Sequence, residues 1–282
     1  MFKLIFENSR GEKAELFGAP FRLIKVEGLG EVNADIQTQR SPYQDGETLI
    51  DVMLDPRHIT VELKIYGKDA ADTEAKRRLI ASIFNPKLGL GTLKYVRGND
   101  VKIIGAIAES VPSFPDGPTN RNSTFQKVLL FLKAPNPYWR STTVTEEPAF
   151  EPKFRFPFSG PFIMGIQRDK RIINNDGDAP APINVEFFGP ALNPKIINNT
   201  TGQFIRIRQA LLEGERMMID TSDSSVYFVD EDGNERDVFP WIDPSTTFFD
   251  LQLGENEIEY SADDDIQGAI VNIRYSKLYN AV

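Results

Sequence analysis

The stretch RHITVELKIY, Arg57–Tyr66, decides how the first half of the chain folds. Every second residue in its interior is aliphatic, and the residues between them are polar or aromatic. The aliphatic positions are Ile59, Val61, Leu63 and Ile65. A spacing of two places all four side chains on one face of a β-strand. The stretch therefore predicts a strand that covers a core with one face, and the neighbouring segments are organised around it.

Two contrasting segments precede this strand. Thr48–Leu54 is densely apolar and is followed by Asp55-Pro56. Because proline cannot donate a ladder hydrogen bond, this pair predicts a turn between two antiparallel strands. The run from 35 to 47 is polar, and only Ile36 and Tyr43 in it are candidates for burial. Its pattern leaves two alternatives open: a disordered tip, or an arm that binds another chain.

One convincing helix follows, at about residues 70–85. Asp69, Asp72 and Glu74 crowd its start, where acidic side chains favour the positive end of the helix dipole and can cap free amides. Asn85-Pro86 ends it, since the residue before proline avoids the helical region. Apolar residues at three- and four-residue spacing form its stripe: Ala75, Leu79, Ile80, Ile83 and Phe84. We expect this stripe, with Leu79 buried in it, to pack on the aliphatic face of the strand.

Short strands fill the rest of the first half, interrupted by a loop rich in Pro, Gly, Asn and Ser at Pro112–Ser123. The expected strands are Lys3–Phe6, Ala14–Phe17, Phe21–Val26, Thr92–Val96, Val101–Ala108 and Phe125–Leu132. Arg140–Pro152 is mostly Thr, Glu and Pro, which is typical of an interdomain linker. The sequence thus predicts two separately folding domains, at 1–144 and 145–282.

The second half shows strands and turns without a helix. Asp232-Gly233-Asn234 is a strong hairpin signal between two apolar runs. The expected strands are Ile183–Phe187, Phe204–Arg208, Val226–Val229, Val238-Phe239, Phe248–Leu253, Glu257–Tyr260 and Ala269–Tyr275. Short strands at this spacing predict a β-sandwich or jelly roll. The whole chain is therefore expected to be mainly β, with one helix in its first half.

Composition excludes several classes of function. A net charge of -9 argues against a nucleic-acid-binding surface, which needs clustered Lys and Arg. The chain has no Cys, so thiolate chemistry and disulfides are excluded. Met1–Phe6 is too short for a signal peptide, and no apolar run approaches the roughly 20 residues that span a bilayer. We expect a soluble protein made in a cytoplasm, without membrane insertion.

No residue pattern predicts catalysis. The lone histidine, His58, stands at the start of a predicted strand, and the Gly-x-Ser-x-Gly elbow of serine hydrolases is absent. A strand-end residue near solvent is the favoured interpretation of His58. With 41 Asp and Glu in the chain, two carboxylates close together would carry little information about glycosidase chemistry. We predict no catalytic residue and no cofactor.

Two further patterns have a plain and a functional interpretation. Asp230–Asn234 looks like a calcium loop, but its glycine is misplaced and no closing Glu follows, so a hairpin tip is favoured and no metal is predicted. Asp263–Asp265 is interpreted as a charged turn. Several aromatic residues are candidates for either a sugar-stacking platform or a core, the core being favoured. They are Phe187, Phe188, Tyr227, Phe228, Trp241, Phe248 and Phe249.

The order of short motifs along the chain resembles the distal tail protein family of long-tailed bacteriophages. In the first half the resemblance rests on these runs: Gln39-Arg40-Ser41-Pro42, Asp45-Gly46, Pro56-Arg57, Ile83-Phe84-Asn85-Pro86 and Pro137-Tyr138-Trp139. In the second half it rests on Asn174–Pro180, Gly189-Pro190-Ala191, Asn193-Pro194, Asn199–Gly202, Ile219-Asp220-Thr221, Phe248-Phe249 and Leu253–Asn256. Each fragment is weak alone, but their joint order is specific and spans nearly the whole chain.

The resemblance implies a ring-forming first domain, β-sandwich-like with one helix and a protruding arm, and a galectin-like jelly-roll second domain. It implies a structural hub in the virion tail, assembled in the host cytoplasm as a homo-oligomeric ring, with six copies as the expected number. Its implied partners are the tail tube protein, a tail-tip or tail-associated protein, and receptor-binding or baseplate proteins. We expect Ile36–Glu47 and the loop Pro112–Ser123 to form contact surfaces.

Within the arm, the predicted subunit-interface residues are Gln37, Gln39, Arg40, Tyr43 and Asp45. The alternative function is a carbohydrate-binding module that assists attachment to the host cell wall. The compact His-Asn-Arg and Trp-Glu constellation with which galectins bind galactosides is not found in this sequence, and a fold alone does not establish sugar binding.

Overall fold

A computed structural model of the protein describes residues 2–142, 144–146, 170–263 and 270–282. Contacts group the chain into two units: Met1–Thr142 with Tyr279–Val282, and Thr143–Leu278. The sequence assigned residues 279–282 to the second domain, whereas they belong to the first unit. Separate folding of the two halves stays a prediction.

The predicted linker Arg140–Pro152 is only partly described. Residues 143 and 147–152 lie outside the described residues. Val144–Glu146 form a strand that pairs with Ile270–Tyr275 of the second unit, so this part of the segment belongs to a sheet.

One sheet dominates the first unit. The strands of the first unit are β1 Lys3–Glu7, β2 Lys13–Glu15, β3 Phe21–Glu27, β4 Ala34–Gln39, β5 Thr48–Leu54, β6 Arg57–Tyr66, β7 Gly91–Arg97, β8 Asp100–Ala108, β9 Phe125–Ala134 and β10 Trp139–Arg140. The helix α1, Ala70–Ile83, and a 3-10 turn, Pro86–Leu88, lie between β6 and β7. The sheet order is β2-β1-β7-β8-β9-β6-β3, and β10 pairs with β8. The strands β4 and β5 form a separate two-stranded sheet.

The strand β6 has the predicted alternation. Its four aliphatic side chains are at most 1% exposed and belong to the core of the first unit. The expected pairing of Thr48–Leu54 with β6 is wrong, because β3 and β9 already occupy the two edges of β6. The preceding strand β5 pairs with β4 instead. Asp55-Pro56 therefore carries the chain from a separate hairpin into the main sheet.

The helix α1 begins and ends where the sequence predicts. The Asp69 carboxylate accepts a hydrogen bond of 2.8 Å from the Asp72 amide, and the Phe84 amide donates to the Ile80 carbonyl. The helix packs against β2, β6 and β9. Ile80 and Ile83 are buried, but Leu79 is 47% exposed, so its predicted burial is wrong. Leu79 lies about 100° around the helix from Ile80, which turns it away from the sheet.

The second unit is a β-sandwich. Its strands are β11 Val144–Glu146, β12 Lys170–Asn175, β13 Ile183–Phe188, β14 Ala191–Leu192, β15 Lys195–Asn198, β16 Gln203–Arg206, β17 Ala210–Leu211, β18 Arg216–Asp220, β19 Ser225–Val229, β20 Glu235–Asp237, β21 Gly254–Ser261 and β22 Ile270–Tyr275. The last strand, β23 Leu278–Tyr279, pairs with β10 and so belongs to the main sheet of the first unit. The two main sheets have the orders β11-β22-β13-β18-β19-β20 and β12-β21-β15-β16. Buried residues of both sheets share one core, in which the rings of Phe187 and Tyr260 meet edge to face with centroids 6.2 Å apart. The predicted mainly β fold class is confirmed.

Two predicted strands of the second unit are wrong. Val238-Phe239 is not a strand, because Val238 directly precedes a 3-10 turn at Phe239–Trp241. Phe248–Leu253 has no regular strand and makes only a single bridge, between Leu251 and Ala181. Its apolar residues are still used, because Phe249 and Leu251 are buried in the core. An irregular segment that crosses a core can show the same apolar spacing as a strand. Gly254–Asn256, directly after this segment, is the start of β21.

Candidate assembly surface

The hairpin β4–β5 is the most exposed ordered element of the first unit. Among the described elements, its two strands pair only with each other. All residues of β4 are exposed, and in β5 only Leu54 is partly covered. We call this hairpin, Ala34–Leu54, the arm. An ordered arm with no cover of its own is a candidate for contact with another chain.

A β-bulge gives the arm one apolar face. Paired residues share a face, so Ile36 and Val52 lie together, as do Thr38 and Leu49. The register shifts between Gln37 and Thr38, which leaves Ile50 as the extra residue of β5. Ile50 therefore lies on the same side as Leu49. Four aliphatic side chains on this face, Ile36, Leu49, Ile50 and Val52, are 48–60% exposed.

The opposite face of the arm is mainly polar. It carries Asp35, Gln37, Gln39, Thr48 and Asp51, together with one apolar residue, Met53. The Asp51 carboxylate accepts a hydrogen bond of 2.8 Å from the Val52 amide, beside the bulge. The arm is thus amphipathic although both faces are open. In a monomer only the polar face is suited to water.

The tip of the arm is held by local hydrogen bonds. The Gln44 amide donates to the Ser41 carbonyl over 3.1 Å, and Arg40 Nε donates to the Gln44 carbonyl over 3.1 Å. Tyr43 has a φ of 66°, unusual for a residue with a side chain, and is fully exposed. Of the two alternatives for the polar run, the structure has an ordered hairpin. Whether it binds another chain stays a prediction.

The five predicted interface residues divide between two parts of the arm. Gln37 and Gln39 lie on the polar face, and Arg40, Tyr43 and Asp45 lie in the tip. The aliphatic residues of β5 were missed as interface candidates, because Thr48–Leu54 was interpreted as a strand paired with β6. Thr48–Leu54 has the length of a strand but does not alternate strictly between apolar and polar residues. This pattern could have indicated that the strand does not cover the core with one face in the way that β6 does.

Arg57 connects several chain segments at the base of the arm through hydrogen bonds. Its side chain is 1% exposed and donates only to backbone carbonyls. The bonds run from Nε to Pro137 O (2.9 Å), from Nη1 to Gly28 O (3.0 Å) and Glu31 O (3.0 Å), and from Nη2 to Asn280 O (2.5 Å). Burial lowers the pKa of this guanidinium, and the charge of Glu31 opposes that shift. No carboxylate in the described part of the chain forms an ion pair with it.

Neighbouring contacts complete this base, which we call the arm root: the segment from 28 to 33, Arg57 and Trp139. The Trp139 indole donates to the Leu29 carbonyl over 3.0 Å, and the Asp55 amide donates to the Asn33 carbonyl over 2.9 Å. Gly28 has a φ of 85°, and a Cβ there would lie 1.9 Å from the His58 carbonyl oxygen. Only glycine fits this close approach. Two sequence motifs, Pro56-Arg57 and Pro137–Trp139, thus meet in space.

The other sequence candidates have simple structural explanations. His58 is largely exposed, with its Nδ1 2.8 Å from Glu109 Oε1. At the calcium-like loop, Asn234 donates its side-chain and backbone N–H groups to Asp230, which lowers the pKa of that carboxyl. No group of three or more potential metal ligands occurs among the described residues.

Two more predicted features remain, an acidic turn and a loop. Residues 264 and 265 of the acidic turn lie outside the described residues, while the Asp263 carboxylate accepts hydrogen bonds from Asn193 and Arg206 that lower its pKa. The loop Pro112–Ser123 is anchored to the first unit, since Ser113 and Leu129 exchange backbone hydrogen bonds and Phe114 packs on the core. Its role as a contact surface stays a prediction.

The aromatic candidates do not form one platform. Phe187, Phe228 and Phe249 are at most 3% exposed and belong to the core of the second unit, as favoured from sequence. Trp241 is 42% exposed. In the described part of the chain, none of the helices has the length and apolar character needed to cross a bilayer.

Comparison with known families gives two matches. Residues 9–132 match the family described as "Phage tail protein RIFT-related domain". Residues 176–279 match "Siphovirus-type tail component, C-terminal domain". The two matches follow one another along the chain and together cover most of it. No significant match is found among curated proteins.

Solved structures of phage tail components share the fold. The crystal structure of SPP1 Dit (gp 19.1), described as a paradigm of the hub adsorption apparatus in Gram-positive infecting phages, has a TM-score of 0.70, 12% identity and 99% coverage of both chains. A chain of the phage P2 baseplate in its activated conformation with Ca has a TM-score of 0.56, 10% identity and 100% coverage of both. These structures show the shared fold, and the two family matches establish that the chain belongs to the siphophage distal tail protein family and is a structural protein of the virion tail.

Proposed function

We propose that the first unit assembles into a ring of six copies, in which the apolar face of each arm lies against the neighbouring copy. The number of copies is the one that the family resemblance implies. The observation that carries the proposal is the arm itself, an ordered hairpin with four half-exposed aliphatic side chains on one face. The ring serves as the hub to which the tail tube and the baseplate or tail-tip proteins attach.

Burial of the aliphatic face of the arm is favourable in free energy. Full burial of a large aliphatic side chain contributes about 1.5–3 kcal/mol. Because the four side chains on this face are 48–60% exposed, covering them releases about 3–6 kcal/mol per arm. Part of this offsets the cost of fixing two subunits relative to each other. Each ring repeats the contact, so the gain accumulates at every interface.

The arm also has the asymmetry that a ring requires. A contact between an arm on one copy and a different surface on the next is head-to-tail, and such contacts close into a ring when the rotation between copies allows it. The polar face, with Asp35 and Asp51, is left free to face solvent or a channel. A channel lined by acidic side chains would not retain passing phosphates.

We propose further that the hub has no catalytic activity. The support is the chemistry of the residues: His58 is exposed beside Glu109, and no cysteine is present. The virion protein would act through its surfaces alone. Replacing His58 by alanine is therefore expected to leave assembly unchanged, which makes it a suitable control below.

Native mass spectrometry of the full-length protein tests the ring directly. We expect a closed oligomer at micromolar concentration and its loss, with at least tenfold weaker association, in the double variant Leu49→Ser, Ile50→Ser. The comparison variant is Gln37→Ser, Gln39→Ser on the polar face of the partner strand β4. It should assemble like wild type if the apolar face carries the contact, which would replace the sequence-based expectation that Gln37 and Gln39 form the interface. Deletion of Gln39–Asp45 should give a folded protein with a reduced assembly state.

Two results would contradict the proposal. One is a wild-type protein that stays monomeric across micromolar concentrations. The other is an apolar-face variant that assembles as well as wild type while circular dichroism shows both proteins folded. If only the polar-face variant failed to assemble, the contact would be assigned to the opposite face of the arm.

A further inference from the structure

We propose that Arg57 is a positioning residue for ring assembly: through the arm root it sets the direction in which the arm leaves the main sheet. This inference rests on the proposed ring. It concerns the geometry of the arm rather than the surface that the arm presents.

The first observation is that the main sheet does not support the arm laterally. Its strands form a sheet of their own and do not pair with any strand of the main sheet. At about 3.3 Å per residue, the strands and the tip extend about 20 Å or more from the root. A tilt of about 10° at the root would therefore move the tip by about 4 Å. The direction of such an arm is determined at its base.

The second observation is that Arg57 connects the chain segments that meet at this base. Its guanidinium binds Gly28 and Glu31, which precede β4, and it follows β5 by only three residues. It also binds Pro137, before β10, and Asn280, in the segment that returns to the first unit. Both ends of the arm are thus joined through one rigid side chain to two other parts of the unit.

The third observation is that this role needs an arginine. Four of the five N–H donors of a planar guanidinium are used on four separate carbonyls. A lysine ammonium has three donors at a single point and cannot reach all four acceptors together. An ion pair would fix only the position of a carboxylate side chain. Arg57 instead binds backbone carbonyl oxygens, whose positions are set by the path of the main chain. The bonds therefore fix the relative positions of these segments.

Ring closure is sensitive to this geometry. A head-to-tail contact closes only if the rotation from one copy to the next has a definite value. A root that allows several arm directions would give open chains or rings of mixed size, even with the apolar face intact. The expected defect of an altered root is thus a loss of uniformity in assembly.

The test compares Arg57→Lys with Arg97→Lys, a change of the same kind at the exposed end of β7. For Arg57→Lys we expect the fraction of closed rings in native mass spectrometry to fall at least fivefold, with a spread of other sizes. Arg97→Lys should match wild type. Because a stability role alone could lower the melting temperature, assembly is measured at a temperature where circular dichroism shows every variant folded.

A second measurement reads the arm direction without assembly. The chain has no cysteine, so Glu15→Cys on β2 and Asp45→Cys in the tip allow two spin labels to be placed specifically. In the non-assembling background Leu49→Ser, Ile50→Ser, pulsed electron spin resonance gives the distance between them. We expect Arg57→Lys to broaden this distance distribution at least twofold and Arg97→Lys to leave it narrow. If Arg57→Lys does not fold, Trp139→Phe, which removes one donor of the root, takes its place in both measurements.

The outcomes separate the two proposals. A monomeric wild type contradicts the ring, and the assembly role of Arg57 falls with it. A wild-type ring together with an Arg57→Lys protein of unchanged particle size and unchanged label distances contradicts only the positioning role. A lower melting temperature with both readouts unchanged would likewise make Arg57 a residue of stability alone.

Discussion

The strands β5 and β6 are neighbours in the chain, separated only by Asp55 and Pro56, yet their surroundings are opposite. β6 is paired on both edges and buries a whole face in the core. β5 is paired on one edge, to β4, and is exposed on both faces. Of the two, β5 has the denser apolar run. Apolar content alone therefore does not predict whether a segment is buried within its own chain.

The largest expected effect is a difference in the free energy of unfolding between a variant of β6 and a variant of β5. Leu63→Ala in β6 should lower the free energy of unfolding by about 2–5 kcal/mol, because it leaves a cavity at a fully buried site. Leu49→Ala in β5 should change it by less than about 0.5 kcal/mol, since the side chain is already in water in the monomer. Chemical denaturation below the assembly concentration measures both. Equal losses for the two leucines would show that the arm packs within its own chain.

The same contrast occurs on the helix α1, with a smaller difference. Ile80→Ala should cost about 2–4 kcal/mol because Ile80 is fully buried, whereas Leu79→Ala should cost about 0.5 kcal/mol or less. Thermal unfolding of the two single variants, one residue apart, provides the comparison. A larger loss for Leu79 would contradict the orientation of the helix.

The smallest expected effect concerns a carboxyl group rather than an aliphatic one. Burial raises the pKa of Asp250, against the lowering effect of the hydrogen bond from Thr221 Oγ1 at 3.3 Å. Since the folded pKa lies above the unfolded one, ionisation opposes folding, and this cost appears as the pH rises through that interval. Asp250→Asn should stabilise the second unit at about pH 7 by less than about 1 kcal/mol, because water screens a half-buried charge.

The pH dependence of that variant is its control. At about pH 3 the carboxyl is protonated in both states, so the advantage of Asp250→Asn should disappear. An advantage of Asp250→Asn that persists in acid would show that its origin is packing and not charge.

Local sequence patterns correctly predicted the structural elements that depend only on residues close together in the chain. The alternation of β6 and the Asp69 cap of α1 depend on residues within one or two turns, and both are confirmed. The partner of β5 depends on which edges of β6 are free, which only the complete sheet decides. Leu79 was misplaced because its spacing fits a wide apolar stripe, while the sheet covers only the narrower stripe through Ile80 and Ile83.

The candidate site was predictable in location but not in chemistry. The polar run left a disordered tip and a binding arm as alternatives, and the structure has an ordered hairpin there. Its polar residues drew attention away from the aliphatic residues of β5. The contacts of Arg57 could not be predicted, because its acceptors come from segments up to 223 positions away along the chain. No spacing rule connects an arginine with the backbone carbonyls of distant loops.

The open arm has a consequence for the unassembled chain. Within the described residues, no strand pairs with either outer edge of β4–β5, and these open edges lie beside an aliphatic face. This combination promotes aggregation when chains accumulate. The bulge at Ile50, together with Asp35 and Asp51, makes flat stacking of one arm on another unfavourable. Assembly of the subunit with its partners thus competes with its aggregation during synthesis. We expect slow accumulation of the subunit to favour soluble protein.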